Sequence, residues 1–468
     1  MCQALANFAR LLTTESLKPE SLVPFLSCRL IALDKRPGVR PIGVCEVARR
    51  IVSKAILKIV GADVEEACGF LQKCSGCPAG LEAAVHAMQR LYEDESTEGI
   101  LLVDAKNAFN SLNRNAALHN IRHLCPALSV CLHNCYQSPS SLFVAGGWEL
   151  ASREGTTQGD PLSMPFYALA TLPLIKDLQR KHQPVRQTWL ADDSAGAGKL
   201  RELRSWWDSL CDVGRLYGYL TNSDKSVLLV KEPLLEVATK LFEDTGVLVM
   251  TKGVRYLGSA VGDEDFLKAY LEEKVNRWME EIDVLARFAQ TEPRAAFAAL
   301  GHGLRSKFAF LLTTLPPALE VLQKVNSQLE ERYLPAVSGH ADFTPDELSL
   351  LRLPARLGGI GLPCLAEAAD FEHKASKGKT DAQVEEIVKQ NAPHAVPSIG
   401  SVHKAAVQAR NKSHLRRRKE QEATFHSLRE HSTLDTKRME LLSAKGASSW
   451  LTTLPLKEHG FLLSRCNF

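Results

Sequence analysis

Three carboxylates in this chain have the types and spacing that could hold metal ions. Asp104 ends the apolar run 100–103, and the doublet Asp192-Asp193 follows the run 187–191. A run of aliphatic residues is typical of a buried strand, which holds an acid at its end rigidly while that acid leaves the core. Magnesium takes hard oxygen ligands, commonly one or two protein carboxylates with water and substrate phosphates. The pattern predicts a two-metal site for phosphoryl transfer, although aspartates in such places also form solvated turns and helix caps.

The motifs around these acids follow one another in a fixed order. They read LDKRPGVRPI at 33–42, VDAKNAFNS at 103–111, QGDPLSM at 158–164, the acidic doublet, YLTNSDKS at 219–226 and YLG at 256–258. In content and order these blocks resemble the reverse transcriptases, closest to the non-LTR retrotransposon and group II intron branch, over roughly residues 30–363. The resemblance implies an RNA-directed DNA polymerase of a mobile genetic element.

The same resemblance implies an α+β fold with the right-hand polymerase architecture of fingers, antiparallel-sheet palm and helical thumb, followed by a polar helical C-terminal segment. The expected domains are fingers at 20–98 with 116–153, palm at 99–115 and 154–262, thumb at 263–365, and a charged extension at 366–468. The implied partners are an RNA template, a DNA or RNA primer and deoxynucleotides, and an element-encoded endonuclease could lie on a longer chain.

The resemblance also assigns metal ligands. Asp104, Asp192 and Asp193 would be catalytic and would bind two Mg²⁺ ions, or Mn²⁺ in their place, with the backbone carbonyl of Ala105 as a further ligand. Because adjacent residues on a strand point to opposite faces, only one acid of the doublet can be the favoured direct ligand, and we expect it to be Asp192. Lys225 would protonate the leaving pyrophosphate as general acid, unless it is an ordinary surface lysine.

The remaining expected contacts are to the nucleotide. Lys35 and Arg40 would reach the triphosphate, since guanidinium and ammonium groups both suit phosphate oxygens. Gln158 and Gly159 would form the floor and wall beside the base and sugar. Phe109 would close against the sugar 2′ position and exclude a hydroxyl, which favours a DNA product; its alternative role is a core phenylalanine.

One position departs from the family. Leu190 stands two residues before Asp192, the first acid of the doublet, where the family usually has Tyr or Phe beneath the primer end. Two other interpretations therefore stay open. The chain could be a catalytically degenerate descendant that binds nucleic acid, which the retained acids oppose, or an RNA-directed RNA polymerase, which Phe109 opposes.

The composition of the chain limits its domain count, its location and its partners. The chain has 468 residues, 45% of them hydrophobic, which is enough for two or three domains with sizeable cores. No apolar stretch of about 18 residues predicts a membrane span, and the N-terminus lacks a secretory pattern, so we expect an intracellular protein of the nucleus or cytoplasm. The net charge of +3 is small for a protein that binds a polyanion, so local basic clusters matter more.

Cys74 and Cys77 have zinc-ligand spacing, with Cys131 and Cys135 as possible partners, but reduced core cysteines explain them as well.

Periodicity predicts local structure around the site. Helices are expected at 113–124 and 128–136, a hairpin at 141–151 across Gly146-Gly147, and a long apolar helix at 162–178 that Asp160 caps. The acidic doublet is expected at the turn of a second hairpin, followed by a helix at 199–217. Long helical patterns continue through 265–290, 294–313 and 317–333, before a Gly-rich turn at 353–361.

Overall fold

The computed structural model describes residues 1–35, 38–390, 399–447 and 451, with the side chains of 399–403, 405 and 406 left out. Arg36 and Pro37 of the predicted fingers block, and residues 391–398, 448–450 and 452–468 of the predicted extension, lie outside the described residues. The chain divides into two compact units, Met1–Leu257 with Thr380–His403, and Gly258–Lys379 with Lys404–Phe468. No helix in the described ranges has the length and apolarity needed to cross a bilayer.

The first unit combines ten strands with ten helices in its described residues before Leu257. Its strands are β1 Cys28–Asp34, β2 Val39–Cys45, β3 Gly99–Val103, β4 Ser140–Val144, β5 Trp148–Ser152, β6 Arg186–Leu190, β7 Asp193–Gly198, β8 Val227–Val230, β9 Leu248–Met250 and β10 Gly253–Tyr256. Its helices are α1 Cys2–Thr14, α2 Pro19–Leu26, α3 Val47–Cys68, α4 Gly80–Glu93, α5 Ala108–Ser111, α6 Arg114–Leu124, α7 Pro126–Tyr136, α8 Ser163–Lys181, α9 Leu200–Tyr217 and α10 Leu235–Leu241.

A five-stranded sheet carries the acidic residues. Its strand order is β6-β7-β3-β8-β9, and β3 lies at its centre with every residue buried. The continuous aliphatic sequence of β3 is what a strand covered on both faces requires. β3 pairs antiparallel with β7 and aligns Val103 with Ser194, so the end of β3 lies beside the start of β7. The acid after β3 and the acids at the β6–β7 turn therefore share one edge of the sheet.

A second sheet has the strand order β2-β1-β4-β5. β1 and β2 form an antiparallel hairpin that aligns Leu33 with Arg40, while β1 and β4 run parallel. β4 and β5 form the expected hairpin across Gly146 and Gly147, whose φ angles of 94° and 87° are open to glycine at little cost. The helices expected at 113–124 and 128–136 are α6 and α7, and Asn113 caps α6 through its side chain.

The long apolar helix starts later than predicted. α8 begins at Ser163 with Leu162 as its N-cap, so the expectation that Asp160 caps it is wrong. Asp160 accepts a hydrogen bond from the Leu162 amide, but its other carboxylate oxygen bonds Arg49 and Tyr136. The Ser163 N–H donates to the Asp160 carbonyl, so residues 160–163 close a turn before the helix begins.

The second unit is mostly helical. Its elements are β11 Ser259–Gly262, α11 Glu264–Ala289, α12 Pro293–Ala299, α13 Arg305–Thr314, α14 Leu319–Gln328, α15 Leu334–Ser338, α16 Pro345–Arg352, α17 Leu365–Lys389, α18 Ile399–His431 and α19 Thr436–Ser443, of which α17 and α18 extend beyond the unit. The core lies along α11, where Trp278 meets Phe308 edge to face. The helical patterns expected at 294–313 and 317–333 are present, each interrupted by a π-helical turn, Leu300–Leu304 and Leu329–Tyr333.

Candidate active site

The predicted acids occupy neighbouring positions at one edge of the five-stranded sheet. Asp104 directly follows β3, Asp192 lies in the two-residue turn between β6 and β7, and Asp193 begins β7. Burial raises the pKa of Asp192 above its ordinary value, and the negative charge of Asp104 raises it further. Two aspartates that are far apart in sequence thus lie close enough for one to disfavour the ionisation of the other.

Asp193 lies near two other carboxylates, Asp192 and Asp104, whose negative charges both disfavour its ionised form. Its surface is partly exposed, yet burial of the remainder, together with the charges of Asp192 and Asp104, raises its pKa to about 6. An array of carboxylates that repel one another is stabilised by a bound cation, and carboxylate oxygens suit Mg²⁺. Within the described ranges, however, no three His, Cys, Asp or Glu side chains converge as a ready-made metal cage. The acids fit the open type of magnesium site, in which water and substrate phosphates complete the coordination.

Asp104 is fixed by the segment that follows α9. The Asn222 amide donates to Asp104 Oδ2 at 2.8 Å, and the Asn222 backbone N–H donates to the Asp104 carbonyl at 2.8 Å. The Asp104 backbone N–H donates to Ser226 Oγ at 3.3 Å, and Ala105 forms an isolated bridge with Thr221. Asp104 is therefore oriented by both its side chain and its backbone, which suits a group that must keep one position.

The turn that carries Asp192 is held from two sides. Gln72 accepts a hydrogen bond from the Ala191 N–H at 2.8 Å and donates one to the Ala191 carbonyl at 3.1 Å. Tyr219 donates its hydroxyl hydrogen bond to the Asp192 carbonyl at 2.8 Å, and the same hydroxyl lies 3.1 Å from Ser194 Oγ. Both anchoring side chains are buried.

The predicted basic residues lie in two parts of the first unit, the β1–β2 hairpin and the short turn after Asn222. Lys35 and Arg40 lie in the exposed β1–β2 hairpin, which closes through a hydrogen bond from the Lys35 N–H to the Gly38 carbonyl. The positive charges of Arg40 and Lys35 lower the pKa of Asp192, opposing the effect of its burial. Lys225 is exposed at the end of the short 3₁₀ turn Ser223–Lys225, three residues after Asn222, the partner of Asp104. The structure thus brings the charges of Lys35 and Arg40 within reach of Asp192.

Phe109 lies in α5, just after Asp104. Its ring stacks on Tyr167 with centroids 4.6 Å apart and the planes 25° from parallel. Tyr167 is fully buried in α8, and burial raises its pKa well above the ordinary value. Phe109 itself is only half-buried. One face of the ring is therefore fixed by Tyr167, and its exposed part is rigidly supported.

Gln158 and Gly159 are held against the β1–β2 hairpin. The Gly43 N–H donates to the Gln158 carbonyl at 2.7 Å. Gly159 has a φ of 107°, and a Cβ there would lie 2.5 Å from the Gly43 carbonyl oxygen. The protein's own backbone therefore excludes a side chain at residue 159. Sequence analysis explained this glycine only by its expected place beside the nucleotide.

A buried ion pair supports the same loop. Arg49 and Asp160 pair at 2.5 Å, with their side chains 1% and 0% exposed. Tyr136 donates its hydroxyl to the same Asp160 oxygen at 2.7 Å, and Arg49 also donates to the Leu26 carbonyl. Asp160 follows Gln158-Gly159 directly, so this network fixes one end of the predicted nucleotide-binding loop.

Sequence analysis missed Gln72, Tyr219 and Asn222, which position the acids, and Arg49 and Tyr136, which hold Asp160 beside Gln158-Gly159. Tyr219 and Asn222 lie in a recognised block, but nothing local indicated which of its side chains would contact an acid. Gln72 lies 119 residues from its partner, and no periodicity marks it. Its neighbours Cys74 and Cys77 were considered as zinc ligands or as reduced core cysteines; burial raises the pKa of each thiol, which opposes the thiolate that zinc needs.

Comparisons with known proteins give structural likeness only. No family model matches the chain, and no curated protein matches it. Among solved structures, it resembles apo telomerase from Candida tropicalis, at 11% identity and a TM-score of 0.44, over 85% of this chain and 67% of that one. It also resembles telomerase from Candida albicans in complex with a fragment of telomeric RNA, at 13% identity and a TM-score of 0.41, over 92% and 66% of the two chains.

A further similar structure is apo telomerase from Candida tropicalis truncated from its C-terminal domain, at 13% identity and a TM-score of 0.39. This chain spans about half of that one, 53% of its length. The α+β architecture and the candidate site described above rest on this chain's own strands, helices and contacts.

Proposed function

We propose that this chain is an RNA-directed DNA polymerase of a mobile genetic element, from the non-LTR retrotransposon and group II intron branch of the reverse transcriptases. The observation that carries the proposal is the placement of Asp104 beside Asp192 at one edge of a buried sheet, where burial first and the Asp104 charge second raise the pKa of Asp192. The branch is supported by the order of the sequence blocks at 33–42, 103–111, 158–164, 219–226 and 256–258.

In the proposed reaction a primer 3′-hydroxyl attacks the α-phosphate of a deoxynucleotide, the new phosphodiester bond forms and pyrophosphate leaves. Asp104 and Asp192 would hold Mg²⁺, with Asp193 and the Ala105 carbonyl in support. Magnesium bound there supplies positive charge that favours the ionised hydroxyl and the leaving pyrophosphate. The protein's own contribution is to fix these oxygens before the substrate arrives, through Asn222 on Asp104 and the anchored β6–β7 turn.

The nucleotide would be bound by groups around this edge. Lys35 and Arg40 would bind the triphosphate, since their charges already act on Asp192. Lys225, exposed near the partner of Asp104, would give a proton to the leaving pyrophosphate. Gln158 and Gly159 would form one wall of the nucleotide site, and the supported ring of Phe109 would exclude a 2′-hydroxyl. RNA template, primer and deoxynucleotides are the proposed partners.

A primer-extension assay on an RNA template with Mg²⁺ tests the proposal. We expect incorporation of deoxynucleotides in preference to ribonucleotides, and a loss of roughly a thousandfold or more in Asp192→Asn. The matched control is Asp212→Asn, which removes the same charge from the exposed face of α9 and should retain activity. Equal extension by wild type and Asp192→Asn would remove the enzyme proposal, and a preference for ribonucleotides would indicate an RNA polymerase.

Two observations favour a second candidate, a nucleic-acid-binding descendant without catalysis. One oxygen of Asp104 already accepts the Asn222 amide, and the described residues contain no preformed three-ligand metal group. This candidate expects RNA binding that is equally tight in wild type and Asp192→Asn, with no extension by either. The same assay, run beside a binding measurement on labelled RNA, separates the two.

A further inference from the structure

The turn that presents Asp192 has a backbone conformation that its sequence does not favour. Leu190 pairs with Asp193, so only Ala191 and Asp192 connect β6 to β7. Ala191 has a φ of +55°. Two-residue hairpin turns that need a positive φ at the first connecting residue normally have glycine, asparagine or aspartate there, because the Cβ of other residues costs about 1 kcal/mol or more in this region. An outside contact must therefore keep this turn in place.

Gln72 supplies that contact to both polar groups of Ala191. Its Oε1 accepts from the Ala191 N–H at 2.8 Å, and its Nε2 donates to the Ala191 carbonyl at 3.1 Å. A carboxamide has a donor and an acceptor side by side, so one side chain satisfies both backbone groups of one residue. Asn would present the same groups one methylene short of the turn.

Gln72 is itself held in place. It is 1% exposed, and its backbone forms a parallel bridge with Trp189. The Trp189 N–H donates to the Leu71 carbonyl and the Lys73 N–H donates to the Trp189 carbonyl, at 3.1 and 2.8 Å. These contacts make residues 71–73 a short addition to the free edge of β6. A side chain fixed by burial and by backbone pairing can transmit its position to the turn.

We infer that Gln72 is a positioning residue that sets where the Asp192 carboxylate lies and thereby tunes metal affinity at the acidic edge. Gln72 does not touch the reacting atoms; it acts through the Ala191 backbone. The inference rests on the proposed function for its meaning, because it assumes that the acids bind metal.

The test compares two buried glutamines of the same sheet. Gln72→Met keeps the side-chain length and removes both hydrogen bonds to Ala191. Gln187→Met is the matched control: Gln187 is also 1% exposed, and its side-chain hydrogen bonds go to Trp189, Trp206 and the Ile175 carbonyl rather than to the turn. Both substitutions remove buried hydrogen bonds, so both should lower thermal stability.

The readout is Mn²⁺ binding, measured by electron paramagnetic resonance on the full chain without nucleic acid, beside the Mg²⁺ dependence of primer extension. We expect Gln72→Met to weaken Mn²⁺ binding roughly tenfold and to raise the Mg²⁺ requirement by a similar factor, while Gln187→Met leaves both near wild type. Asp192→Asn defines the part of Mn²⁺ binding that belongs to the acids.

Each outcome has a distinct meaning. Mn²⁺ binding that is equally tight in wild type and Gln72→Met, or equally weakened in the two glutamine variants, overturns the positioning role. Asp192-dependent Mn²⁺ binding without primer extension removes the polymerase proposal and leaves the positioning role standing. A wild-type chain whose Mn²⁺ binding does not depend on Asp192 overturns both.

Discussion

Arg49 and Asp160 form an ion pair from which solvent is excluded, and they join the start of α3 to the loop before α8. The Asp160 charge raises the pKa of the Arg49 guanidinium against the effect of its burial. Since Tyr136 bonds the same carboxylate, the pair is part of a small network, and it lies directly beside Gln158-Gly159. Stability and the shape of the candidate nucleotide site therefore depend on the same contact.

Removing one member of this pair should be costly. Arg49→Met leaves the Asp160 carboxylate buried with only Tyr136 and the Leu162 amide as partners, and we expect a loss of about 3–5 kcal/mol in the free energy of unfolding. Denaturant unfolding followed by circular dichroism measures it. The control is Asp244→Asn, which breaks the exposed pair with Arg204 and should change stability little. Equal losses in the two variants would show that burial of the Arg49 pair does not matter.

Neutralising an acid of the candidate site should stabilise the fold. Because Asp193 has a raised pKa of about 6, the native state holds its proton more tightly than the unfolded chain does, so the ionised carboxylate destabilises the protein above that pH. Asp193→Asn should gain about 1 kcal/mol at pH 7.5 without divalent metal, a value reduced for solvent screening of a partly exposed group. The gain should shrink as the pH falls through the folded pKa of about 6 and should vanish only near pH 3, below the unfolded pKa of about 3.9, where the wild-type acid is protonated in both states.

Thermal melts at the two pH values measure this gain. Adding Mg²⁺ should raise the melting temperature of wild type, because a ligand that binds only the native state stabilises it. The same addition should have little effect on Asp192→Asn. A destabilised Asp193→Asn at pH 7.5 would contradict the repulsion among these acids.

Phe109 should control the choice of sugar. Phe109→Val shortens the half-buried ring above Tyr167 and opens space at the proposed 2′ position, so the preference for deoxynucleotides over ribonucleotides should fall by roughly tenfold or more. Single-nucleotide extension with each sugar measures the ratio. Tyr167→Phe is the matched control, since it keeps the supporting ring and removes only a buried hydroxyl. An unchanged ratio in Phe109→Val would assign this ring to the core alone.

His182 should make stability sensitive to mild acid. It is buried beside Ser209, with Nε2 2.8 Å from Oγ, and burial lowers its pKa below the ordinary value, with Lys181 adding to the effect and Glu202 and Asp177 opposing it. The stability that neutral His182 contributes is present above its unfolded pKa of about 6.5 and is lost as the pH falls below that value. We expect the unfolding free energy of wild type to fall more steeply between pH 7 and 5 than that of His182→Gln. Parallel pH profiles would contradict this role.

The parts of the fold that local sequence determines were predictable. The aliphatic run of β3 and the Gly146-Gly147 hairpin produce strands where their patterns indicate them, and the turn location of the acidic doublet is confirmed. The spacing of apolar residues along α9 and α11 likewise fixes those helices within one residue. These features arise from contacts within one element or between consecutive ones.

What could not be predicted depends on contacts distant in sequence. Asp160, expected only as a helix cap, pairs through its second carboxylate oxygen with Arg49, more than a hundred residues earlier. Gln72 reaches the acidic turn only because residues 71–73 line up beside β6. Such partners are chosen by tertiary packing, which no periodicity or motif spacing reveals.

The first unit is assembled from two stretches of chain, and the later stretch makes specific contacts with the earlier one. Gln383 donates to the Pro78 carbonyl and accepts from the Cys77 thiol, and Glu385 pairs with Arg90. The protein is synthesised from its N-terminus, so Cys77, Pro78 and Arg90 stay exposed to solvent until residues 380–390 have left the ribosome and can pack against them. A shortened chain that stops before residue 380 would keep every recognised motif and still carry an incomplete domain, prone to aggregate for reasons unrelated to its chemistry.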